Sequence, residues 1–357
     1  MSEFWEDKKV LVTGHTGFKG SWLLMWLLQE KAKICGFSLR ENENSLFKRF
    51  IDENRDFINS FDHNIGDINN FNSLSEVVNQ FKPEIVFHLA AQPIVSDSYK
   101  YPIKTFQTNI IGSINLLESL KSLSNKCVVI MVTTDKVYKN NEWCFGYREI
   151  DPLGGHDPYS ASKAAAEIVI NSWRSSFGSE LNNIFIATAR SGNVIGGGDW
   201  SPNRIVPDAI CALSNNKPIR VRNPKSRRPW QHVLEPLNGY MVLAEKLFYE
   251  SNNKFYQSSF NFGPDSRNNK TVEELVNEIL IFWEGEWQKS NELENMHEAS
   301  LLNLNTDKAL HYLGWYPKWN FQKTVKNTVE WYLHLENKSS AFNCCIDNLN
   351  DFLNLNK

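Results

Sequence analysis

Residues 9–24 read KVLVTGHTGFKGSWLL, and this stretch combines a strand, a glycine-rich turn and the start of a helix. The apolar run from Lys9 to Thr13 is typical of a buried strand, and the leucines behind the turn favour a helix. Glycines permit a tight bend and a close approach of backbone N–H groups to phosphate, which a helix N-terminus also attracts. Any tight turn favours glycine, so the glycines alone are weak evidence. Their place between a first strand and a first helix predicts a nucleotide cofactor.

Short apolar runs alternate with helical stretches throughout the first half of the chain. Strands are predicted at 9–13, 34–39, 64–68, 84–89, 126–133 and 183–189, and helices at 21–30, 71–81, 102–123 and 159–177. This alternation favours right-handed βαβ crossovers. The predicted fold class is therefore α/β, a Rossmann-type doubly wound parallel sheet with a smaller C-terminal substrate-binding domain.

The composition of the sequence changes after Arg190, where a glycine-rich segment and then a basic, proline-containing segment follow. We expect residues 1–190 to form the dinucleotide-binding domain, to which 233–263 return as one helix and one strand. Residues 191–232 and 264–357 are predicted to form the smaller domain. The stretch beyond about Lys338 is predicted to be a weakly packed tail.

Composition and charge exclude several classes of protein. The 357 residues are 41% hydrophobic and 22% charged, which argues against disorder and against a disulfide scaffold. With 38 basic and 41 acidic side chains there is no broad positive field, so neither a nucleic-acid nor a membrane partner is expected. The apolar run from Trp22 to Leu28 is far too short to span a membrane, and the N-terminus lacks the pattern of a signal peptide. Six cysteines without a CxxC pair predict free thiols in a reducing cytoplasm, and no metal site.

Two motifs carry groups suited to proton transfer. Tyr159 and Lys163 share one face of a predicted helix, and a cation beside a tyrosine lowers the pKa of the phenol, which makes it a usable general base. Thr134, Asp135 and Lys136 follow the fifth strand, and ligands of open α/β sheets bind outside the carboxyl ends of the strands. Taken singly, each motif is also typical of a surface helix or turn. Together they predict a catalytic centre.

The residues expected to bind the adenosine end leave two questions open. No acidic residue follows the glycine loop at the distance typical of ribose binding. Arg40, followed by Glu41, stands there instead and can accept a 2′-phosphate, so NADP stays open beside NAD; the alternative is a solvated loop charge. Asp67 is placed to hydrogen-bond an adenine amine, or else to form a turn or cap a helix.

These motifs together resemble the extended short-chain dehydrogenase/reductase family. The resemblance rests on the glycine loop, HLAAQ at 88–92, Asn109, the triplet after the fifth strand and the tyrosine–lysine pair. The finer pattern resembles the CDP-glucose branch of its nucleotide-sugar 4,6-dehydratases, above all in GGGDW at 196–200 and RPWQHV at 228–233. The dTDP-glucose and GDP-mannose branches carry glutamate where this chain has Lys136. Some UDP-sugar dehydratases also carry Asp-Lys, usually without the tyrosine. Arg40 departs from the branch, which usually has aspartate there.

The resemblance implies a lyase that converts CDP-glucose to CDP-4-dehydro-6-deoxyglucose with enzyme-bound NAD. Tyr159 would take the proton of the C4 hydroxyl while hydride leaves C4, with Thr134 bonded to the same oxygen. Lys136 would then remove the C5 proton, Asp135 would protonate the departing C6 hydroxyl, and hydride would return to C6. Burial favours a neutral Lys136 and a protonated Asp135, whereas an ion pair between them opposes both, and the sequence leaves this open. The alternatives are a dehydratase of UDP- or dTDP-hexoses and a catalytically silent cofactor-binding regulator.

The resemblance also implies the binding residues. For the cofactor they are Gly14, Thr16, Gly17, Phe18, Gly20, Arg40, Asp67, Ile68, Leu89, Ala90, Ala91, Asn109, Thr133, Tyr159 and Lys163. For the nucleotide sugar they are Asn193, Arg204, Arg228 and Asn261, with a solvated basic turn as the alternative for Arg228. Trp200, Trp230 and His232 either wall the pocket or pack the domain junction, and packing is favoured for Trp230. His88 is expected to be a buried structural histidine. A homodimer built on helices 102–123 and 159–177 is implied, with a tetramer as the alternative.

Overall fold

Thirteen strands are found in the computed structural model, which describes residues 3–177, 182–265, 269–290 and 301–354. They are β1 (Lys9–Thr13), β2 (Lys33–Ser38), β3 (Asp62–Ile65), β4 (Ile85–His88), β5 (Cys127–Val132), β6 (Ile184–Ser191), β7 (Val194–Ile195), β8 (Ile219–Val221), β9 (Arg227–Pro229), β10 (Gln231–His232), β11 (Ser259–Phe262), β12 (Asn269–Thr271) and β13 (Trp287–Lys289). Seven form one parallel sheet in the order β11-β6-β5-β4-β1-β2-β3. The others pair two by two, as β7 with β10, β9 with β12 and β8 with β13.

Helices cover both faces of the sheet and continue into the C-terminal part. They are α1 (Phe18–Gln29), α2 (Leu46–Glu53), α3 (Phe71–Phe81), α4 (Val95–Lys100), α5 (Pro102–Phe106), α6 (Gly112–Ser119), α7 (Pro158–Ser176), α8 (Ile205–Ser214), α9 (Leu234–Tyr249), α10 (Val272–Phe282), α11 (Asp307–Leu313), α12 (Phe321–Glu336) and α13 (Ala341–Asn354). The long helix predicted from residue 102 consists of α5 and α6 joined by a π-helical turn, Gln107–Ile111. Among the described residues no helix is both long and apolar enough to cross a membrane.

The side chains of the central strands alternate between two hydrophobic cores, as the period of a strand requires. Val128 and Ile130 of β5 point into the core that contains α1 and α9, whereas Val129 and Met131 point into the core under α3, α6 and α7. Every residue of β5 is buried, because helices cover both of its faces. The prediction of a doubly wound parallel sheet is confirmed.

The strand order reverses beside β1, which lies between β2 and β4. In a doubly wound sheet this reversal opens a crevice outside the carboxyl ends of the two neighbouring strands. Thr13, the last residue of β1, pairs with Phe37 of β2 and His88 of β4, so the segments after all three strands begin at the same edge. The topology thus brings the glycine loop, Leu89 to Ala91 and the triplet after β5 to one place.

The C-terminal helix α13 corrects the prediction of a weakly packed tail. Its Cys345 and Phe352 are fully buried, and the indole N–H of Trp331 in α12 lies 3.3 Å from the sulfur of Cys345. The backbone N–H of Ala341 donates to the carboxylate of Glu53 in α2, at 2.7 Å. Polar residues separate these apolar positions in the sequence, so the buried stripe exists only once α1, α2 and α12 provide its partners.

Candidate active site

A cavity of about 1980 Å³ lies at the carboxyl ends of the central strands. Pockets for small ligands usually enclose roughly 300–1,000 Å³, so this one has room for two extended molecules. Its wall includes most of the residues implied for cofactor and sugar nucleotide, contributed by the loops after β1, β2, β4, β5 and β6 and by the segment before α8.

The glycine loop is folded tightly onto the end of β4. Gly14 has φ +76°, and a Cβ atom there would lie 2.7 Å from the backbone nitrogen of Ala90. A Cβ atom on Gly20 would lie 2.1 Å from the carbonyl oxygen of Gly14, so neither position tolerates a side chain. Gly17 is the N-cap of α1 and has no side chain to accept the first amides of that helix. Amides of a helix start that face a cavity fit an anionic pyrophosphate.

The hydroxyl of Thr16 fastens the glycine loop to the end of β2. It lies 2.8 Å from the hydroxyl of Ser38 and donates to the carbonyl oxygen of Leu39 at 3.0 Å. Phe18 and Gly20 follow at the first turn of α1, and Phe18 lines the cavity. The loop is therefore held between two strands before any ligand binds.

The rim of the cavity carries the residues predicted for the adenosine end. Arg40 and Asp67 are exposed there, and Ile68 is buried beside them. The Asp67 carboxylate accepts the backbone N–H of Asn69 at 2.9 Å, which makes it a turn residue, while the N-cap of α3 is Asn70. The alternative that Asp67 forms a turn is therefore observed, and the alternative that it caps a helix is wrong.

The segment after β4 is held by buried polar contacts. His88 is 3% exposed, lies 2.8 Å from the hydroxyl of Thr13, and burial lowers its pKa to about 3, as expected of a structural histidine. Leu89, Ala90 and Ala91 follow it along the cavity wall. Asn109 is fully buried in the π-helical turn, and its amide bonds Ser162 and the backbone of Gln92. Asn109 therefore supports the segment after β4 and is not among the residues that line the cavity, so its role as a cofactor contact stays a prediction.

The triplet after β5 forms a short 3₁₀ turn at the bottom of the cavity. The Thr134 hydroxyl donates to Oδ1 of Asp135 at 3.0 Å and accepts the backbone N–H of Lys136 at 3.4 Å. Asp135 is 2% exposed, its Oδ2 has no hydrogen-bond partner among the described residues, and burial raises the pKa of its carboxyl. Lys136 is half-buried on the cavity wall, and its ammonium makes no hydrogen bond or ion pair with any residue that the structure describes.

Helix α7 brings Tyr159 and Lys163 to the same cavity. Asp157 caps the helix by accepting the backbone N–H of Ser160 at 2.9 Å, which places Tyr159 in the first turn and Lys163 one turn later. The Tyr159 phenol is hydrogen-bonded to the hydroxyl of Thr134.

Burial, and not Lys163, dominates the acidity of Tyr159 in this structure. Burial raises the pKa of Tyr159 to about 12, and this outweighs the hydrogen bond from Thr134. The ammonium of Lys163 donates to the carbonyl oxygen of Val132 at 3.2 Å, and burial lowers its pKa to about 8. A strand carbonyl thus holds the lysine, and desolvation of the phenol decides its acidity.

A buried ion pair lies beneath this centre. Glu167 of α7 bonds the guanidinium of Arg190 through both carboxylate oxygens at 2.9 Å and also accepts the hydroxyl of Thr133 at 2.6 Å. Thr133 lines the cavity, but its hydroxyl points into this network. The end of β5 is therefore tied to α7 and β6.

Three of the four residues implied for the nucleotide sugar line the opposite wall. Arg204 precedes α8 and pairs with Asp199 at 3.0 Å, and Asn193 follows β6. Arg228 is 8% exposed, so the alternative of a solvated basic turn is wrong for it; Arg227 beside it is exposed.

Asn261, the fourth residue, lies apart from the other three, and its role in substrate binding stays a prediction. It is fully buried on β11 and does not line the cavity. Its amide oxygen accepts the hydroxyl of Tyr138 at 2.7 Å, and its amide nitrogen donates to the backbone of Tyr147 and Asn305. All its polar atoms serve the packing of β11 against the 138–147 segment.

The three aromatic residues predicted to line the pocket or to pack between the two domains differ in their surroundings. Trp230 lines the cavity but is only 3% exposed, and its indole donates to the carbonyl oxygen of Lys270 at 3.1 Å, so it serves packing as well. His232 is fully buried between Trp22 and Trp319. Trp200 is half-buried and lines the cavity.

Lys19 is a cavity residue that the sequence reasoning missed. Its ammonium donates to the hydroxyl of Ser191 at 2.9 Å and to that of Tyr240 at 3.4 Å. One feature of the sequence could have identified it: Lys19 places a positive charge in the first turn of a helix, where the helix dipole disfavours positive charge. In the part of the chain that the structure describes, no group of His, Cys, Asp and Glu residues could hold a metal ion.

Comparisons with known proteins give one family and several relatives. The family model of GDP-mannose 4,6 dehydratase matches residues 11–328. A CDP-glucose 4,6-dehydratase of Salmonella typhimurium is 45% identical over 336 residues, which are 92% of this chain and 91% of that protein. A CDP-paratose 2-epimerase of Salmonella typhi is 25% identical, covering 90% of this chain and 98% of that protein. A crystal structure of dTDP-glucose 4,6-dehydratase from Bacillus anthracis, in complex with NAD, superposes with a TM-score of 0.76 at 23% identity, covering 92% of this chain and 98% of that one, and thus shares the fold.

Proposed function

This chain belongs to the GDP-mannose 4,6-dehydratase family of extended short-chain dehydrogenases/reductases, and on that premise we propose that it converts CDP-glucose to CDP-4-dehydro-6-deoxyglucose. The observation that carries the reaction type is the adjacent carboxyl and amine of Asp135 and Lys136, which line one cavity with the phenol of Tyr159. The choice of CDP-glucose is supported by the 45% identity to a dehydratase of that substrate.

The residues of the glycine loop suit the pyrophosphate of NAD, since the start of α1 offers its first amides without a capping side chain. Lys163 at the bottom of the cavity is placed for the nicotinamide ribose. When bound, NAD supplies reversible hydride acceptance to a sugar carbon. NAD is favoured over NADP because a structural neighbour binds NAD and Arg40 lies on the exposed rim, where no described residue holds its guanidinium in place.

The oxidation step needs a base for the C4 hydroxyl. Tyr159 takes this proton, and its oxygen is already bonded to Thr134, which can also donate to the sugar oxygen as it becomes a carbonyl. Burial raises the pKa of this phenol to about 12, so it is protonated at rest, and a positive charge beside it, which bound NAD would supply, would favour its role as the base.

The elimination step needs an acid and a base on neighbouring carbons. The C4 ketone acidifies the C5 proton, which the amine of Lys136 removes. The electron pair of that C–H bond forms the C5–C6 double bond, the C6–O bond breaks, and Asp135 supplies the proton that turns the departing hydroxyl into water. Burial keeps the carboxyl of Asp135 protonated for this purpose, since it raises the pKa. Return of a hydride to C6 and a proton to C5 completes the product without net redox change.

We assign the sugar nucleotide to a unit formed by residues 191–232 and 264–357, with 1–190 and 233–263 as the cofactor unit. Arg204 and Arg228 support this division, because both residues line the cavity that also contains Asp135 and Tyr159. Their planar forks suit the oxygens of a diphosphate. The ion pair of Arg204 with Asp199 and the burial of Arg228 pre-organise both groups.

A homodimer built on helices 102–123 and 159–177 belongs to the same proposal. Exposed apolar side chains support it, namely Tyr101 (61%), Ile103 (74%) and Ile168 (59%) on the α5 and α7 surfaces. Placement in the reducing cytoplasm, as part of deoxysugar biosynthesis, is supported by six free cysteines, two of them exposed.

The experiment is a panel of CDP-, dTDP- and UDP-glucose incubated with the full chain and NAD. We expect water loss by mass spectrometry and an alkali-induced ultraviolet chromophore from CDP-glucose, without lasting NADH. Turnover of only the dTDP or UDP sugar would reject CDP-glucose as the substrate. Lasting accumulation of NADH would reject a dehydration without net redox change. Binding of NAD with no turnover of any sugar would support a silent regulator.

A further inference from the structure

Lys19 is a cation in the wall of the catalytic cavity to which the proposed chemistry gives no part. It occupies the first turn of α1, where the helix dipole disfavours positive charge, so it does not stabilise that helix. Its ammonium donates to the hydroxyl of Ser191 at 2.9 Å and to that of Tyr240 at 3.4 Å, and these two hydroxyls lie 2.7 Å apart. The amine is therefore held in one orientation by the end of β6 and by α9.

The carboxyl of Asp135 lies beside Gly192, the residue that follows Ser191. A Cβ atom on Gly192 would lie 2.8 Å from Oδ2 of Asp135, so this oxygen touches the backbone next to Ser191. It is the same oxygen that has no hydrogen-bond partner among the residues that the structure describes. The cation of Lys19 and this carboxyl oxygen thus lie next to two consecutive residues, Ser191 and Gly192, in the wall of one cavity. Each acts on the other, since Asp135 raises the pKa of Lys19 and Lys19 lowers that of Asp135.

We propose that Lys19 is a positioning residue for the elimination step, whose charge keeps the buried carboxyl of Asp135 a strong enough acid to release its proton. Burial alone would make Asp135 hold its proton too firmly, whereas an acid works best when its affinity for the proton matches the working pH. This inference rests on the proposed function, because it takes Asp135 as the acid of that reaction.

The other charged groups around the pair set the pH range. Burial lowers the pKa of Lys19 to about 7, and the nearby cations Arg204 and Lys163 contribute to this. Facing Asp135, besides Lys19, are Lys136 and Arg228, which lower its pKa, and the hydroxyl of Thr134. Tyr159 and Tyr240 border the same space and stay neutral, since burial raises the pKa of both. Below about pH 7 Lys19 is charged and favours release of the proton from Asp135; above it this support fades.

The test follows the protonated carboxyl of Asp135 directly, by infrared titration of the full chain. The band is identified as the acid C=O stretch that Asp135→Asn removes. In Lys19→Met the midpoint of this band should rise by about one pH unit, because an opposite charge has been lost. In Lys19→Arg, which stays charged at every pH, the midpoint should lie at or below that of the wild type. Ser191→Ala is the matched control: it removes the hydrogen bond and keeps the charge, so its midpoint should move less than that of Lys19→Met.

An unchanged midpoint of the Asp135 band in Lys19→Met, or a raised midpoint in Lys19→Arg, would overturn the proposal. If Lys19→Met does not fold, the titration of Lys19→Arg decides. The readout needs no turnover, so failure of the CDP-glucose assignment leaves it intact. With an active enzyme, the alkaline limb of kcat should move in the same direction as the infrared midpoint. A drop in kcat with no movement of the limb would mean that Lys19 has only a structural part.

Discussion

The hydroxyl of Thr134 lies between the carboxyl of Asp135 and the phenol of Tyr159. It donates to Oδ1 of Asp135 at 3.0 Å, accepts the backbone N–H of Lys136 at 3.4 Å, and is hydrogen-bonded to the phenol of Tyr159, whose pKa this bond lowers. One side chain therefore connects the group assigned to oxidation with the group assigned to elimination. The extended backbone of Thr134, which caps the 3₁₀ turn after β5, makes this arrangement possible.

Replacement of Thr134 by valine should impair both chemical steps while the fold is kept. We expect kcat/KM for CDP-glucose to fall by about 10²-fold, in the range of a lost proton-transfer contact. The control is Thr105→Val, a buried threonine whose hydroxyl bonds only the carbonyl oxygen of Tyr101. Equal activity of Thr134→Val and Thr105→Val in steady-state assays would remove Thr134 from the mechanism.

Replacement of Lys136 by methionine should leave NAD binding intact and slow removal of the C5 proton. The expected loss in kcat is about 10²–10⁴-fold. The measurement is incorporation of solvent deuterium at C5, which should disappear in the variant and persist in Lys326→Met, a partner of Glu330 on α12. Deuterium incorporation at the wild-type rate in Lys136→Met would mean that another group is the base.

Arg40 should be a bystander in cofactor binding. We expect the wild type to bind NAD more tightly than NADP, and Arg40→Ala to change the Kd for NAD by no more than about twofold, as for most exposed substitutions. Calorimetry with both cofactors is the measurement, and Arg55→Ala, exposed on the turn after α2, is the control. Tighter binding of NADP that Arg40→Ala abolishes would show instead that Arg40 clamps a 2′-phosphate.

Glu235 should make folding stability depend on pH. Its carboxylate is 1% exposed, accepts backbone N–H groups of Lys318 and Trp319, and burial raises its pKa from 4.5 to about 7. Because the folded state holds this proton more tightly than the unfolded state, the stabilisation is full below pH 4.5 and is lost as pH rises through about 7. We expect the free energy of unfolding in urea to fall between about pH 4.5 and pH 7, by at most about 1.4 kcal/mol per pH unit, and to level off above that range.

The variant Glu235→Gln cannot titrate, so its unfolding free energy should vary less over that range than that of the wild type. The exposed Glu284→Gln serves as control and should keep the wild-type slope. The same slope in Glu235→Gln as in the wild type would assign the pH dependence to other groups.

The alternation of strands and helices, and the place of the glycine loop and of Thr134 to Lys136 within it, followed from the order of residues alone. Strand and helix periods are local properties, and the doubly wound topology brings the ends of β1, β4 and β5 to one edge whatever the details of packing. Asp67 as a turn residue and Trp230 as a packing residue were also within reach of local reasoning.

The tertiary structure decided what depends on burial and on partners distant in the chain. Asn109 and Asn261 carry polar groups suited to ligands, but these groups form hydrogen bonds with residues that only folding brings close. The pKa of Tyr159 rises although a lysine stands one helical turn away, because desolvation depends on everything packed around the phenol. Lys19 and Asp135 lie more than a hundred positions apart and meet only where β6 and β5 end side by side. Sequence spacing determines which groups can share an element, and three-dimensional packing determines their solvation and their neighbours.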